Sequence, residues 1–282
     1  MISLAYGALL DVAMEPYQGK GAGEHALFRE LLKCFAQGDI MLADSYYASY
    51  FLNVALMGMC VDFVFEQHSA RHTDFRTGEK LDRRDHLVQW ARPQWVSLEE
   101  YDSFPAELTV RETKVGKKVL VTSFLKPREI CKREVGSLLV QRWNVELDLR
   151  NAKDTLGMAM LSCKIPEMCA KELWVYVLAY NLIRLLIAQG AVQADVLPRQ
   201  LSFKHTVQVW LAWSHKQFLS DAAEGLQALL RLIEYVRVDR RPGRIEPRAV
   251  KQRPKPFPRL QTTRHRARQN IRLHGHPRKL VA

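Results

Sequence analysis

The period at which apolar residues recur changes twice along this chain, and that succession limits what it can fold into. Through the first 66 residues, short apolar runs of strand length alternate with stripes of helical spacing. Polar stretches with brief β-rich pieces follow, and beyond Pro127 nearly every apolar residue recurs at a helical interval. An α/β class with a helical C-terminal part is the architecture that buries all three patterns. Residues 2–6 and 8–14 are apolar and hinged at Gly7, which predicts a β-hairpin. Residues 23–37 carry a helical stripe that stops before Gly38. The run 39–44 predicts a buried strand, 45–58 a helix and 61–65 another strand, a β-β-α-β-α-β order.

Between residues 68 and 126, strand signals at 87–91, 108–112 and 118–124 are separated by turns at Thr77-Gly78 and Val115-Gly116. Helices are expected over 128–156, 166–193, 203–218 and 220–238, with Pro166 and Pro198 at helix starts, where proline is tolerated. Four segments follow: 1–67, 68–126, 127–238 and 239–282. Charge separates the last from the rest. Of the net +12, the stretch 236–282 holds +13, from fifteen Lys/Arg against Asp239 and Glu246, so the body is near neutral. Five prolines before residue 260 and no apolar period predict an extended, poorly packed tail, and such a cationic arm binds polyphosphates by counterion release.

Several classes are excluded at this level. The longest apolar run, 173–188, is interrupted by Tyr176, Tyr180, Asn181 and Arg184 and falls short of a membrane span, and residues 1–7 carry no leader signature. A cytoplasmic protein is expected. Five cysteines without a C-x-x-C pair read as reduced thiols, mostly buried. His68 and His72 have a helical i, i+4 spacing but lack the E-x-x-H context of a zinc site.

The chemistry concentrates in the helix predicted over 128–156. Arg142, Glu146, Arg150 and Lys153 are spaced four, four and three apart and share one helix face, with Leu138, Val145, Leu149 and Leu156 opposite. One carboxylate among three cations suits phosphate and metal, and it also suits a salt-bridged solvated face. Asp44 ends an apolar strand, where active-site carboxylates of open α/β sheets gather, and it can equally cap the helix that follows.

At these residues the chain resembles the bacterial insertion-sequence DDE transposases that bear the signature Y-x2-R-x3-E-x6-K. Arg142, Glu146 and Lys153 stand at that spacing, with Leu139 in place of the tyrosine. Gly38-Asp-Ile-Met-Leu-Ala-Asp44 is similar to the family's G-D-x-x-x-A-D-R strand, with Ser45 in place of arginine. The 179–184, 201–204 and 241–248 stretches resemble its C-terminal segments. The resemblance implies a ribonuclease H-like mixed sheet with flanking helices and a β-rich insertion before the glutamate helix. It further implies two aspartates and a glutamate holding divalent metal, Mg2+ or Mn2+, for phosphodiester cleavage and strand transfer on DNA, at element terminal repeats and target. Asp44 and Glu146 would be two ligands, and Arg142, Arg150 and Lys153 would bind DNA phosphates. A homo-oligomer acting at the bacterial nucleoid is implied too. Trp90 and Trp95 lie where relatives hold a flipped base, although core packing is the commoner use of such residues.

One part of that pattern is lacking. The family's first aspartate lies on the central first strand, in a D-G-T/S segment upstream of the hairpin that begins here at Ile2, and Asp11 falls in the hairpin's second arm instead. The expectation is an amino-terminally truncated transposase, incomplete as written, with a non-catalytic DNA-binding regulator of transposition as the alternative.

Overall fold

The computed structural model describes residues 1–15, 23–94, 103–214, 222–238, 260 and 262–275. Its centre is a six-stranded mixed sheet in the order β1-β2-β6-β5-β4-β3. Strand β1 (Ile40–Ala43) runs parallel to β2 (Asp62–Glu66), joined through helix α2 (Tyr50–Gly58). The others are antiparallel: β6 (Lys118–Thr122) on β2, β5 (Glu107–Val115) on β6, β4 (Asp85–Ala91) on β5 and β3 (Glu79–Asp82) on β4. The strands of the β-rich stretch therefore extend the same sheet, because β6 pairs with β2 between Val64↔Thr122 and Glu66↔Leu120. Strand β3, with its burial pattern of mostly exposed residues, had no apolar alternation to reveal it.

The two-residue side-chain period of a strand sorts β2 onto two cores. Phe63 and Phe65 face Phe28 of helix α1 (Glu24–Leu31), Leu52 and Leu56 of α2, and Trp90, while Val64 faces Leu120 and Val135 on the other side. Val135 lies on helix α3 (Lys132–Gln141), whose start is fixed by Glu134 accepting the Cys131 N–H at 2.7 Å. Helix α4 (Trp143–Arg150) follows almost without interruption and runs into a π turn, Asn151–Thr155. Helices α5 (Pro166–Gln193), α6 (Phe203–Ser214) and α7 (Ala222–Glu234) build a second core around Tyr180, Ile187, Phe203 and Ile233, onto which Leu9 also packs. By length and composition α5 could cross a membrane, yet here it packs against α6 and α7.

The amino-terminal hairpin turns at Gly7 as expected, with an Ile2↔Leu9 bridge. Only glycine serves there, because φ is +73° and a Cβ would stand 2.7 Å from the Arg184 guanidinium carbon. Asn181 clamps the second arm by accepting the Leu9 N–H and donating to the Leu9 carbonyl, 2.9 and 2.8 Å.

Two expectations need correction. All five cysteines are free as expected, but Cys60 and Cys131 are exposed and the other three half-buried, because each sits at an element end or in a loop rather than on a core face. The tail, a separate unit from Arg237, is not extended throughout: Arg264–His274 forms helix α8, since no proline interrupts that stretch and Thr263 accepts the Arg266 N–H. Residues 239–259, where the prolines concentrate, lie outside the described residues.

The strand-rich part carries a buried polar network. Glu112 Oε1 accepts from the Trp90 indole at 2.8 Å and the Gln67 amide at 2.9 Å, and Arg71 lies 3.8 Å over the Trp90 ring. Trp90 is thus a core residue, and Trp95 lies outside the described residues. Glu112→Ala should lower unfolding stability by about 1–3 kcal/mol, because the buried Trp90 indole loses its acceptor and the half-buried Gln67 amide keeps only Thr73. Equilibrium urea unfolding measures it, and a loss under about 0.5 kcal/mol would assign the network no stabilising role.

Candidate active-site cleft

Strand β1 is the last strand of the sheet, and its outer edge is unpaired among the described residues. Asp62 donates its N–H to the Asp39 carbonyl, so by alternation Met41 and Ala43 turn their peptide groups to β2. The N–H and C=O of Ile40 and Leu42 therefore point the other way. Across from them stands the hairpin. Ser3 donates to Ala8 and Leu10 to Met1 within it, which leaves the N–H and C=O of Ile2 directed outward. Between these two strand edges runs an apolar slot of about 450 Å³, floored by Phe28 and Phe35, with Asp44, Tyr47 and Arg142 among its lining.

Asp44 sits where β1 ends. It is exposed, and its Oδ1 accepts the Tyr46 N–H at 3.0 Å, so it caps the turn Ser45–Tyr47 with one oxygen and leaves the other free for a ligand. Both readings of this residue are compatible with its geometry. Arg142 reaches the same slot from the α3–α4 junction, half-buried, with Nη2 3.9 Å from Oε1 of the exposed Glu146. That is a loose ion pair and too long for a hydrogen bond. Arg150 and Lys153 are exposed farther along. Lys153 falls in the π turn, whose wider winding breaks the regular three-residue step from Arg150.

The slot thus joins Asp44 to Arg142, with Glu146 one turn beyond. Among the described residues no group of three His, Cys, Asp or Glu side chains could hold a metal ion. Asp11 is engaged by its own neighbours. Its carboxyl accepts the Val12 N–H at 2.8 Å, which holds it below the ordinary carboxylate range, and Lys33 lies 3.3 Å away. His68 and His72 are exposed loop residues and form no metal cluster.

Sequence reasoning missed the most important carboxylate of α4. Asp148, two residues from Glu146, is 1% exposed and accepts from Arg199 at 2.8 Å and from Arg184. Arg199 also donates to the carbonyls of Ser3 and Leu4, and Arg184 to the Tyr180 hydroxyl, which in turn donates to Gly7. Burial pushes the Tyr180 phenol up to about 12. The buried face of this helical stretch runs through Val135, Gly136, Asp148 and Ala152, while Leu149 is exposed. A signal existed: Asp148 stands between two leucines and Arg184 inside an apolar helix, and charges in such places need partners.

A second cleft, also about 450 Å³, opens on the strand-rich side and is cationic. Arg71, Arg84, Lys114, Lys117 and Lys118 line it, and of these Lys118 is paired with Glu66 at 2.7 Å. Arg84, Lys114 and Lys117 have no ion-pair partner among the described residues. In the separate unit that begins at Arg237, helix α8 carries Arg264, Arg266, Arg268 and Arg272 and has no buried residue.

A family model described as a transposase DDE domain matches residues 5–182, more than half of the chain. The Escherichia coli K12 transposase InsG for insertion sequence element IS4 is 29% identical over 255 residues, covering 83% of this chain and 55% of the relative. The chain thus spans about half the length of the curated relative it matches. No solved structure matches.

Proposed function

From the premise that this chain belongs to the transposase DDE domain family, we propose that it is the catalytic-domain portion of an insertion-sequence transposase. Its substrate is the DNA of element ends and target. The observation that carries this reading is the slot that brings Asp44, at the end of β1, together with Arg142, one turn from Glu146. Asp44 and Glu146 are two of three carboxylates for Mg2+ or Mn2+, since phosphodiester transfer of this class relies on clustered hard oxygen ligands. Arg142, Arg150 and Lys153 hold phosphates beside them, in the cytoplasm at the nucleoid.

The sheet fits a ribonuclease H-like core in which the central first strand is the one that would occupy the slot, with β1 and the hairpin as its two neighbours. Segments 1–67 and 127–238 then form that core, 68–126 the β-rich insertion and 239–282 a basic tail. Because no third carboxylate joins Asp44 and Glu146 among the described residues, the 282-residue chain by itself should bind DNA without cutting it. Duplex binding, followed by fluorescence anisotropy, should weaken steeply with salt. Arg142→Glu with Lys153→Glu should weaken it further at fixed salt. Plasmid nicking in Mg2+ by the unmodified chain would overturn the incompleteness. DNA binding indifferent to both salt and the double charge reversal would overturn the DNA-processing reading.

A further inference from the structure

Two of the five cysteines meet across one peptide group. The loop 156–165 runs from the π turn to the start of α5, and its far end is gripped by that helix. Glu172, in the second turn of α5, accepts the Ser162 N–H at 2.9 and 3.0 Å and the Cys163 N–H at 2.9 Å. From the first turn, the Cys169 thiol donates to the Cys163 carbonyl at 3.0 Å. A carbonyl oxygen lies about 2.4 Å from its own Cα, so the Cys169 sulfur is within about 5.4 Å of the Cys163 Cα. Side-chain rotation can then bring sulfur to sulfur, since a disulfide joins Cα atoms about 4.4–6.8 Å apart. The Cys163 thiol also hydrogen-bonds Glu172, and that bond, with burial, raises it above the ordinary thiol range. The Cys34 thiol, by contrast, donates to the Asp11 carboxylate at 3.6 Å, and Cys60 and Cys131 are exposed at the ends of other elements.

We infer that Cys163 and Cys169 are a reversible redox latch, oxidised by a small disulfide such as glutathione disulfide to a bond that fastens the loop 156–165 to α5. Cys163 holds its proton more tightly, so Cys169 reacts first. Its proton goes to water, its sulfur attacks one sulfur of glutathione disulfide, the S–S bond breaks and one glutathione leaves, protonated by solvent. Cys163 then gives its proton to solvent by way of Glu172, and its sulfur attacks the Cys169 sulfur as the second glutathione leaves. Two protein thiols lose two electrons, and one glutathione disulfide is reduced to two thiols. The Cys169 S–H···O contact becomes a covalent tie, and the loop can no longer part from the helix. The loop's other end hangs from the π turn, where Met158 and Ala159 donate to the carbonyls of Ala152 and Lys153. The latch therefore fixes the whole segment between Lys153 and α5.

Trypsin reads the latch directly, because Lys164 lies between the two cysteines. Cleavage after Lys153, Lys164 and Lys171 gives peptides 154–164 and 165–171 with one cysteine each. The whole 282-residue chain is equilibrated with glutathione and glutathione disulfide at graded ratios, free thiols are blocked with iodoacetamide, and the unreduced digest is measured by mass spectrometry. The two peptides should appear joined at oxidising ratios and separate after reduction. Lys164 is exposed in the folded chain, and native cleavage there should slow by about fivefold or more once the latch is closed, because the loop must open to enter the protease. Glu172→Ala frees Ser162 and Cys163 and should lower the equilibrium constant for closure by about tenfold, whereas Glu172→Gln keeps an acceptor and should lower it less. Circular dichroism verifies that both variants keep the fold. Peptides that carry only single glutathiones at every ratio would overturn the inference. So would cross-links of either peptide to another cysteine in place of this one, cleavage at Lys164 unchanged in the joined form, or closure unmoved by Glu172→Ala.

Discussion

Asp148→Ala should destabilise the protein by about 3–5 kcal/mol, because it strands buried guanidinium charge without its carboxylate. Arg184 is 4% exposed and has Asp148 as its acidic partner, and Arg199 makes two contacts to the same carboxylate, at 2.8 and 3.2 Å. The loss would spread beyond the ion pair. Arg199 anchors the hairpin through Ser3 and Leu4, and Arg184 orients Tyr180, which holds Gly7. Asp148→Asn keeps an acceptor of the same shape and should cost less than the alanine. Urea unfolding resolves the three proteins, and an alanine variant within about 1 kcal/mol of the parent would show that the triad is not needed. Because the hairpin forms one wall of the slot, limited proteolysis within residues 1–15 should accelerate in Asp148→Ala.

Seating a strand in the slot should have a comparably large effect, this time on activity. Ile40 and Leu42 on one side and Ile2 on the other direct unpaired peptide groups into an apolar channel. A strand there would pair on both edges and end beside Asp44. The test joins an alternating Val/Thr strand closing in Asp-Gly-Thr to Met1 through a short Gly/Ser linker. The extended chain should melt at a higher temperature and acquire Mn2+-dependent nicking of supercoiled plasmid. Metal-ion stabilisation of several kcal/mol corresponds to a gain of about a hundredfold or more over background. Asn in place of the added Asp should keep the thermal gain and lose the nicking, as should Glu146→Gln. An unchanged melting temperature would mean that the slot does not accept a strand. A raised one without nicking would mean that Asp44, Glu146 and the added carboxylate do not form the reactive set, and would favour a DNA-binding regulator.

What the sequence by itself determined was local. The start of helix α1 after Gly23, strands β1 and β2, the start of α5 at Pro166 and the Gly7 turn were readable because each depends on apolar period, a breaker or a backbone preference acting within a few residues, whereas α1 gives way to a 3-10 turn after Leu31, short of Gly38. The positions of Asp44 and of Arg142, Glu146 and Lys153 were readable for the same reason, as spacing along one element. Only the tertiary structure decided which face of α4 is buried, because Asp148 enters the core through Arg184 and Arg199, 36 and 51 residues away. It also decided that β1 borders the sheet and that the hairpin faces it across an apolar slot. An apolar period says that a face must be buried. It carries no information about which surface does the burying, since hydrophobic attraction has no direction and any apolar partner satisfies it.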